Sequence, residues 1–171
     1  MAAEPSMRIF RAAEVPTSAN SAEESNMLPI SEATQEGFAR LLDAGITDGI
    51  LGKRLFDIPG FRLSYIWFKP HFPLPRHSHK QDCLYYIVSG TVKLGTEWLG
   101  PGDGVFLPDA TPYTFTIGDE GLELLEFRTS DDTNFRAFDH APAWWDKAVK
   151  AVRENRAAWQ AAAPPRPARS A

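Results

Sequence analysis

The sequence predicts an all-β fold flanked by a helix at each end, and three observations support this. Between residues 50 and 128, short runs rich in β-branched and aromatic residues are separated by glycine and proline turns, with no helical period between them. Helical spacing occurs before and after that region. The chain also has 14 prolines and 12% aromatic residues, a composition that suits many turns around a lined cavity.

Length, charge and cysteine content narrow the class of protein. A chain of 171 residues suits one domain with a core of its own. No apolar run approaches the ~18 residues that a membrane-spanning helix needs, so we expect no membrane partner. The net charge of −4 argues against nucleic acid as the main partner. The single cysteine, Cys83, cannot form an internal disulfide, and no apolar leader follows Met1, so we predict a reduced, cytoplasmic protein.

The N-terminal part divides into a polar segment and a helix. Residues 1–27 have no sustained period and are predicted to be flexible, although Ile9 and Phe10 could pack as an arm on a neighbouring chain. Ser31 is a suitable helix cap, and Gly45 is a suitable stop after Ala44. The sequence therefore predicts a short helix before a β-barrel domain that we place within residues 28–132.

Strands and turns alternate through that domain. We predict strands over 50–58, 61–69, 83–90, 91–99 and 104–107, and two more around residues 118–121. The Pro59-Gly60 pair ends the first of them, and Ser89-Gly90 ends the third.

Helical spacing returns within residues 133–163. Pro142 suits the start of a helix, and Trp145, Val152 and Trp159 fall close to one of its faces. At least one tryptophan at the start of this helix is expected to pack on the barrel. Residues 164–171 are predicted to be a disordered tail.

The residues that best suit chemistry are His77 and His79. Side chains two apart in a strand point to the same face, so both imidazoles would project into one space. Two converging imidazoles are what a divalent metal ion needs. Two surface histidines near Pro75 would give the same sequence, so the pair alone does not distinguish a metal site from two surface side chains.

The neighbouring residues strengthen the metal reading, because this region resembles the cupin superfamily over residues 61–128. The first cupin motif, G-x5-H-x-H-x3,4-E-x6-G, is matched by His77, His79 and Gly90. The second, G-x5-P-x-G-x2-H-x3-N, is matched by Gly102 and Pro108. The resemblance implies a jelly-roll β-barrel with a metal or substrate site inside, and commonly a homodimer.

Several motif positions differ from the cupin pattern. Cys83 stands at the glutamate ligand, and Tyr113 stands at the last histidine ligand. His71 and Ala110 replace two of the motif glycines. The sequence leaves open whether His71 reaches into the site from the preceding loop.

Three accounts of the site remain open. In the first, His77, His79 and Cys83 together hold Fe, Zn, Ni or Mn, with Cys83 as a thiolate. In the second, the two histidines hold a labile ion whose shell is completed by water and a chelating substrate. In the third, the metal is lost, Cys83 is a small buried hydrophobe, and the barrel binds a small molecule.

Strand alternation predicts which side chains line the interior. Cys83 and Tyr85 share a face, as do Tyr113 and Phe115, so Tyr85 and Phe115 are the predicted walls of a substrate pocket. Tyr113 would act as a general acid or an orienting donor. Glu126 and Arg128 share one face of the last strand and could pair or point inward, but we predict a solvated strand end for them.

Two functions follow from these residues. The first is a metal-dependent enzyme of the dioxygenase type acting on a small organic substrate, with isomerase or lyase chemistry as alternatives known among cupins. The second is a non-catalytic barrel that binds a small molecule as a sensor.

Overall fold

Eight strands form two antiparallel sheets in the computed structural model, which describes residues 7–17, 28–129 and 135–163. The strands are β1 (Ile50–Ile58), β2 (Phe61–Phe68), β3 (His77–His79), β4 (Cys83–Leu94), β5 (Glu97–Leu99), β6 (Gly104–Leu107), β7 (Thr116–Arg128) and β8 (Phe135–Ala137). The helices are α1 (Glu32–Ala44), a 3-10 turn (Ile46–Gly49) and α2 (Pro142–Ala161). The predictions for residues 1–6, 18–27 and 164–171 lie outside the described residues.

The larger sheet has the strand order β1-β2-β7-β4-β5, and β6 also pairs with β4. The smaller sheet consists of β3 and β8. Two single bridges, His77 to Tyr113 and Pro73 to Thr116, attach further segments to this framework. The predicted all-β class, with a helix on either side, is confirmed, and the arrangement is that of a cupin jelly roll.

Two of the predicted strand breaks are wrong. Ser89-Gly90 does not end a strand, because β4 continues from Cys83 to Leu94 with bulges between Ile87 and Ser89 and between Gly90 and Val92. Likewise, the two strands expected around residues 118–121 are one strand, β7. Bulges let a strand bend without interrupting its ladder, and both strands use this to curve.

Gly90 and Gly121 lie where these two long strands come closest. Both residues have positive φ, 74° and 82°, which glycine adopts without strain. A Cβ atom added at Gly90 would lie 2.0 Å from the carbonyl oxygen of Gly121. The closing glycine of the first cupin motif is therefore required by a backbone contact.

Strand alternation places the core as the sequence predicts. Cys83, Tyr85 and Ile87 are buried, whereas Leu84 and Tyr86 are exposed on the other face of β4. The segment before β7 follows the same rule, because its buried and exposed residues also alternate. Tyr113, Phe115 and Ile117 are buried there, and Thr114 and Thr116 are exposed.

The two helices form a layer against one side of the sheets. The Ser31 hydroxyl caps α1 by accepting a hydrogen bond from the Thr34 amide at 3.2 Å, which confirms the predicted cap. In α2, the Trp145 ring packs against Phe38 of α1, with centroids 5.5 Å apart. At the other end of α2, the Trp159 indole donates to the Pro70 carbonyl at 2.9 Å. The helix thus holds the β2–β3 loop as well as α1.

The described residues of the N-terminal segment pack against β1 of their own chain. The rings of Phe10 and Phe56 are 6.2 Å apart. The Lys53 ammonium donates to the Ala12 carbonyl at 2.7 Å. Ile9 remains largely exposed. In the described regions, no helix is both long and apolar enough to span a membrane.

The outer face of β4 and β6 exposes large hydrophobic side chains. Leu84 lies directly opposite Phe106, and both are exposed, as is Tyr86. Such a patch suits a contact with another chain. The homodimer stays a prediction, and this exposed face supports it. The molecular mass in solution, measured by light scattering of the purified protein, tests it.

Candidate functional site

The His-x-His strand is fixed on two sides by its backbone. In β3, His77 lies opposite Ala137 of β8. On its other side, the backbone groups of His77 and Tyr113 exchange two hydrogen bonds, at 2.9 and 2.8 Å. The His79 carbonyl accepts from the Ala110 amide at 2.8 Å. The two cupin motifs are therefore joined directly, with Tyr113 beside the first histidine.

The ring of His77 is held in one orientation. Its Nδ1 lies 2.8 Å from the Pro75 carbonyl, which can only accept, so Nδ1 carries the proton. His77 is only 4% exposed. Burial chiefly lowers the pKa of His77 to about 4, so the ring is neutral near pH 7. The lone pair of Nε2 is consequently available to a ligand.

The two imidazoles lie next to each other. The ring centroids of His77 and His79 are 5.1 Å apart, and the planes are inclined at 83°. A metal–nitrogen bond is about 2 Å long, so rings at this separation can reach one ion. A backbone carbonyl bonded to the second nitrogen is the usual support of a metal-binding histidine. These features fit a divalent metal as far as the two histidines are concerned.

Aromatic rings enclose the pair. Tyr113 lies 4.3 Å from His77 by ring centroid, and Phe135 of β8 stacks on His77 at 4.6 Å. Phe135 also contacts His79 edge-on, at 5.8 Å. His77 is therefore buried among aromatic rings, whereas His79 is half-buried.

Tyr85 and Tyr113 form a buried phenol pair. Their hydroxyl oxygens are 2.6 Å apart. Phe115 packs against both, at 5.5 and 5.1 Å by ring centroid. Burial raises the pKa of each phenol, so both stay protonated. The predicted pocket residues are thus brought together, and the Tyr85 hydroxyl also hydrogen-bonds to the Glu126 carboxylate.

Cys83 is buried on the facing sheet, at the start of β4. Burial, followed by the charge of Glu126, raises the pKa of its thiol to about 12. Within residues 7–17, 28–129 and 135–163, no three or more histidine, cysteine, aspartate or glutamate side chains are grouped so that they could hold a metal ion. Whether Cys83 binds a metal stays a prediction.

The prediction of a solvated strand end for Glu126 and Arg128 is wrong. Arg128 donates from Nη2 to Glu126 Oε2 at 2.7 Å, and the side chains are only 4% and 9% exposed. Burial would raise the pKa of Glu126, but the charge and hydrogen bond of Arg128 outweigh it, so its pKa lies below the ordinary value. Every second residue of β7 faces inward, so the series that begins with Leu122 and Leu124 continues with Glu126 and Arg128.

Three residues near the histidines were misplaced or missed by the sequence analysis, for two different reasons. The step of two along β7 is a readable signal for Glu126 and Arg128. No signal marks Phe135, because it follows the motifs and belongs to a strand of three residues.

Two motif glycines are lost, but their backbone conformation is kept. His71 and Ala110 have φ of 60° and 57°, and they are the non-glycine residues of the described ranges with positive φ. Both occupy glycine positions of the cupin motifs. His71 does not reach into the site. Its side chain is half exposed, and its Nδ1 lies 3.8 Å from Oδ1 of the exposed Asp119.

A jelly roll that carries a His-x-His strand beside the second-motif turn defines a cupin-fold protein, and this chain has that fold. Among solved structures, it is similar to the polyketide cyclase RemF from Streptomyces resistomycificus, with 16% identity, coverage of 86% of this chain and 99% of that chain, and a TM-score of 0.58.

Two further similar structures cover less of this chain. One is a protein of unknown function with a cupin-like fold from Ralstonia eutropha, with 20% identity, 63% of this chain and 75% of that chain covered, and a TM-score of 0.46. The other is an RmlC-like cupin from Shewanella frigidimarina, with 21% identity, 48% and 77% covered, and a TM-score of 0.43. No protein-family model matches the sequence, and no curated protein matches it.

Proposed function

We propose that this protein is a metal-dependent cupin that holds a divalent ion on His77 and His79 and acts on a small organic substrate. The observation that carries the proposal is the state of His77. Its Nδ1 proton is held by the Pro75 carbonyl, which leaves Nε2 as the ligand atom of a neutral ring, and the ring lies 5.1 Å from that of His79 by centroid.

The two histidines leave most of the coordination shell to other groups. Water and an oxygen-bearing substrate would complete it, and an ion held this way exchanges readily. When bound, the ion supplies Lewis acidity, or oxygen activation if it is iron, which is the basis of dioxygenase-type chemistry. Cys83 is the proposed third ligand, since a metal would stabilise its thiolate.

The phenol pair supplies the polar group next to the histidines. Tyr113 contacts the ring of His77, and Tyr85 hydrogen-bonds to the Tyr113 hydroxyl. In this proposal the Tyr113 hydroxyl turns from Tyr85 to donate a hydrogen bond or a proton to a substrate oxygen, while Tyr85 stays bonded to Glu126. Tyr85 and Phe115 form the apolar wall.

The metal content of the protein tests the proposal. The chain has four histidines, of which His77 and His79 form the proposed site while His71 and His140 lie elsewhere. Untagged protein purified without chelator is expected to hold about one divalent ion per chain by elemental mass spectrometry. The double variant His77→Gln/His79→Gln should lose it, because glutamine cannot replace imidazole nitrogen.

The double variant His71→Gln/His140→Gln is the matched control and should keep the ion. Cys83→Ser separates the accounts of the site: loss of the ion makes Cys83 a ligand, and retention makes the two histidines sufficient. Tyr113→Phe should keep the ion and lose turnover once a substrate screen finds one. Absence of metal from wild-type protein, after anaerobic incubation with Fe²⁺, Mn²⁺ and Zn²⁺, would contradict the proposal.

A second candidate function is a metal-free barrel that binds a small molecule without turnover. It is favoured by the burial of Cys83 and by the lack, among the described residues, of a group of three side chains that could hold a metal ion. In that case a ligand binds stoichiometrically and equally well to wild-type protein and to His77→Gln/His79→Gln.

A further inference from the structure

Three arginines lie on the inner face of the larger sheet, at the end near Cys83. Arg62 of β2 is directly opposite Arg128 of β7, and Arg128 is directly opposite Cys83 of β4. Directly opposite residues of an antiparallel pair have Cβ atoms about 5 Å apart and point to the same face. The side chains of Arg62 and Arg128 therefore start next to each other on the same face of the sheet.

A bulge in β1 adds a third arginine. The register between β1 and β2 shifts between Arg54 and Phe56. Residues three apart in a regular strand point to opposite faces, and the extra residue of a bulge restores a common face. Arg54 and Asp57 consequently lie together, with Arg54 Nη1 3.6 Å from Asp57 Oδ2.

Two of the arginines have donors without an acceptor in the described part of the chain. Arg62 donates from Nε and Nη2 to Asp57 Oδ2, at 3.2 and 3.0 Å, but its Nη1 has no partner among the described residues. Arg128 uses Nη2 for Glu126, and within the same ranges its Nε and Nη1 have no partner. Both side chains are about 95% buried. Buried donors are normally satisfied, and each one left unsatisfied is costly.

The unpartnered donors of this arginine cluster favour a planar anion. Arg62 and Arg128 each offer part of a guanidinium fork to it. A guanidinium fork matches the two oxygens of a carboxylate better than a point acceptor.

We propose that Arg62 and Arg128 form a binding site for the carboxylate of an organic acid, at the interior end marked by Cys83. The carboxylate accepts from the unpartnered Nη1 atoms of the two arginines and from Arg128 Nε. The inference rests on the proposed function in one respect: it names a carboxylic acid as the class of substrate that the interior would admit.

Binding of benzoate to metal-free protein tests the site. Calorimetry should show binding of benzoate and not of benzamide, its neutral isostere. The Nε–Hε resonance of Arg128 should shift with benzoate in ¹⁵N-labelled wild-type protein. Arg62→Met should weaken benzoate binding by about tenfold or more, because it removes a charged hydrogen bond while keeping the apolar stem. Arg40→Met, at an exposed arginine of α1, is the control and should leave binding unchanged.

The outcomes separate this site from the metal site. Benzoate should bind equally to wild-type protein and to His77→Gln/His79→Gln, both without metal. Binding that requires added metal, or that benzamide reproduces, would overturn the inference, as would an unchanged affinity in Arg62→Met. Tighter Arg62-dependent binding of inorganic phosphate would also overturn it. Arg128→Met is not needed, so a folding defect of that variant does not affect the result.

Discussion

Replacing Glu126 by glutamine is expected to destabilise the protein by about 3–5 kcal/mol, since it leaves the buried Arg128 without its counter-charge. The pair is well shielded from water, and the 2.7 Å hydrogen bond to Glu126 is the only hydrogen bond that the Arg128 guanidinium makes within the described ranges. Chemical denaturation followed by tryptophan fluorescence measures the free energy of unfolding. Glu120→Gln, at an exposed carboxylate of the same strand, is the control and should change it by less than about 0.5 kcal/mol.

The double variant Glu126→Met/Arg128→Met identifies the cause. A buried ion pair replaced by apolar residues of similar volume is often neutral or stabilising, so the double variant should be more stable than Glu126→Gln. If it is equally unstable, the loss comes from packing and not from the unpaired charge.

Because of the same pair, the stability of the wild-type protein depends on pH in the acid range. The pKa of Glu126 is lowered from an ordinary value of 4.5, so its contribution to stability is present above pH 4.5 and is lost as the pH falls through the folded-state pKa. Below pH 4.5, wild-type protein should lose stability more steeply than Glu126→Gln.

Gly90→Ala should destabilise the protein by more than about 4 kcal/mol, or prevent folding, which is at the extreme of single substitutions. The added Cβ would lie 2.0 Å from the Gly121 carbonyl oxygen, a backbone atom that cannot turn aside. The positive φ of 74° adds a strain of about 1–2 kcal/mol for any residue with a Cβ. Thermal unfolding, or the yield of folded protein, measures the effect.

Gly95→Ala separates the clash from the strain. Gly95 also has a positive φ, 60°, but nothing lies within 4 Å of an added Cβ. This control should therefore show the strain of about 1–2 kcal/mol alone. Ala110→Gly should have the opposite sign, because Ala110 bears that strain already, at φ 57°. Equal losses in Gly90→Ala and Gly95→Ala would show that β4 and β7 can move apart.

The parts of this fold that depend on local pattern were predictable from the sequence. The Ser31 cap, the Gly45 stop and the inward face of Cys83 and Tyr85 follow from rules that act over a few residues. The approach of Tyr113 to His77 followed only from the resemblance to the cupin motifs, because the two residues are distant in the chain.

The errors arose where distant contacts override local preference. Ser89-Gly90 resembles a turn, but its glycine allows two long strands to come close. Glu126 and Arg128 are charged, so local rules place them in solvent, and only their mutual pairing permits burial. The unpartnered donors of Arg62 could not be inferred from any pattern, since they depend on where Asp57 falls after the bulge.

The pairing of β3 with β8 has a consequence for the order in which the chain is made. The ribosome completes His77 and His79 early, whereas Phe135, which stacks on His77, comes 58 positions after His77. A chain interrupted after Arg128 contains both cupin motifs but lacks the strand beside them. The proposed metal site therefore depends on the chain as far as β8, and a fragment chosen by the limits of its motifs would lack half of the small sheet that carries the histidines.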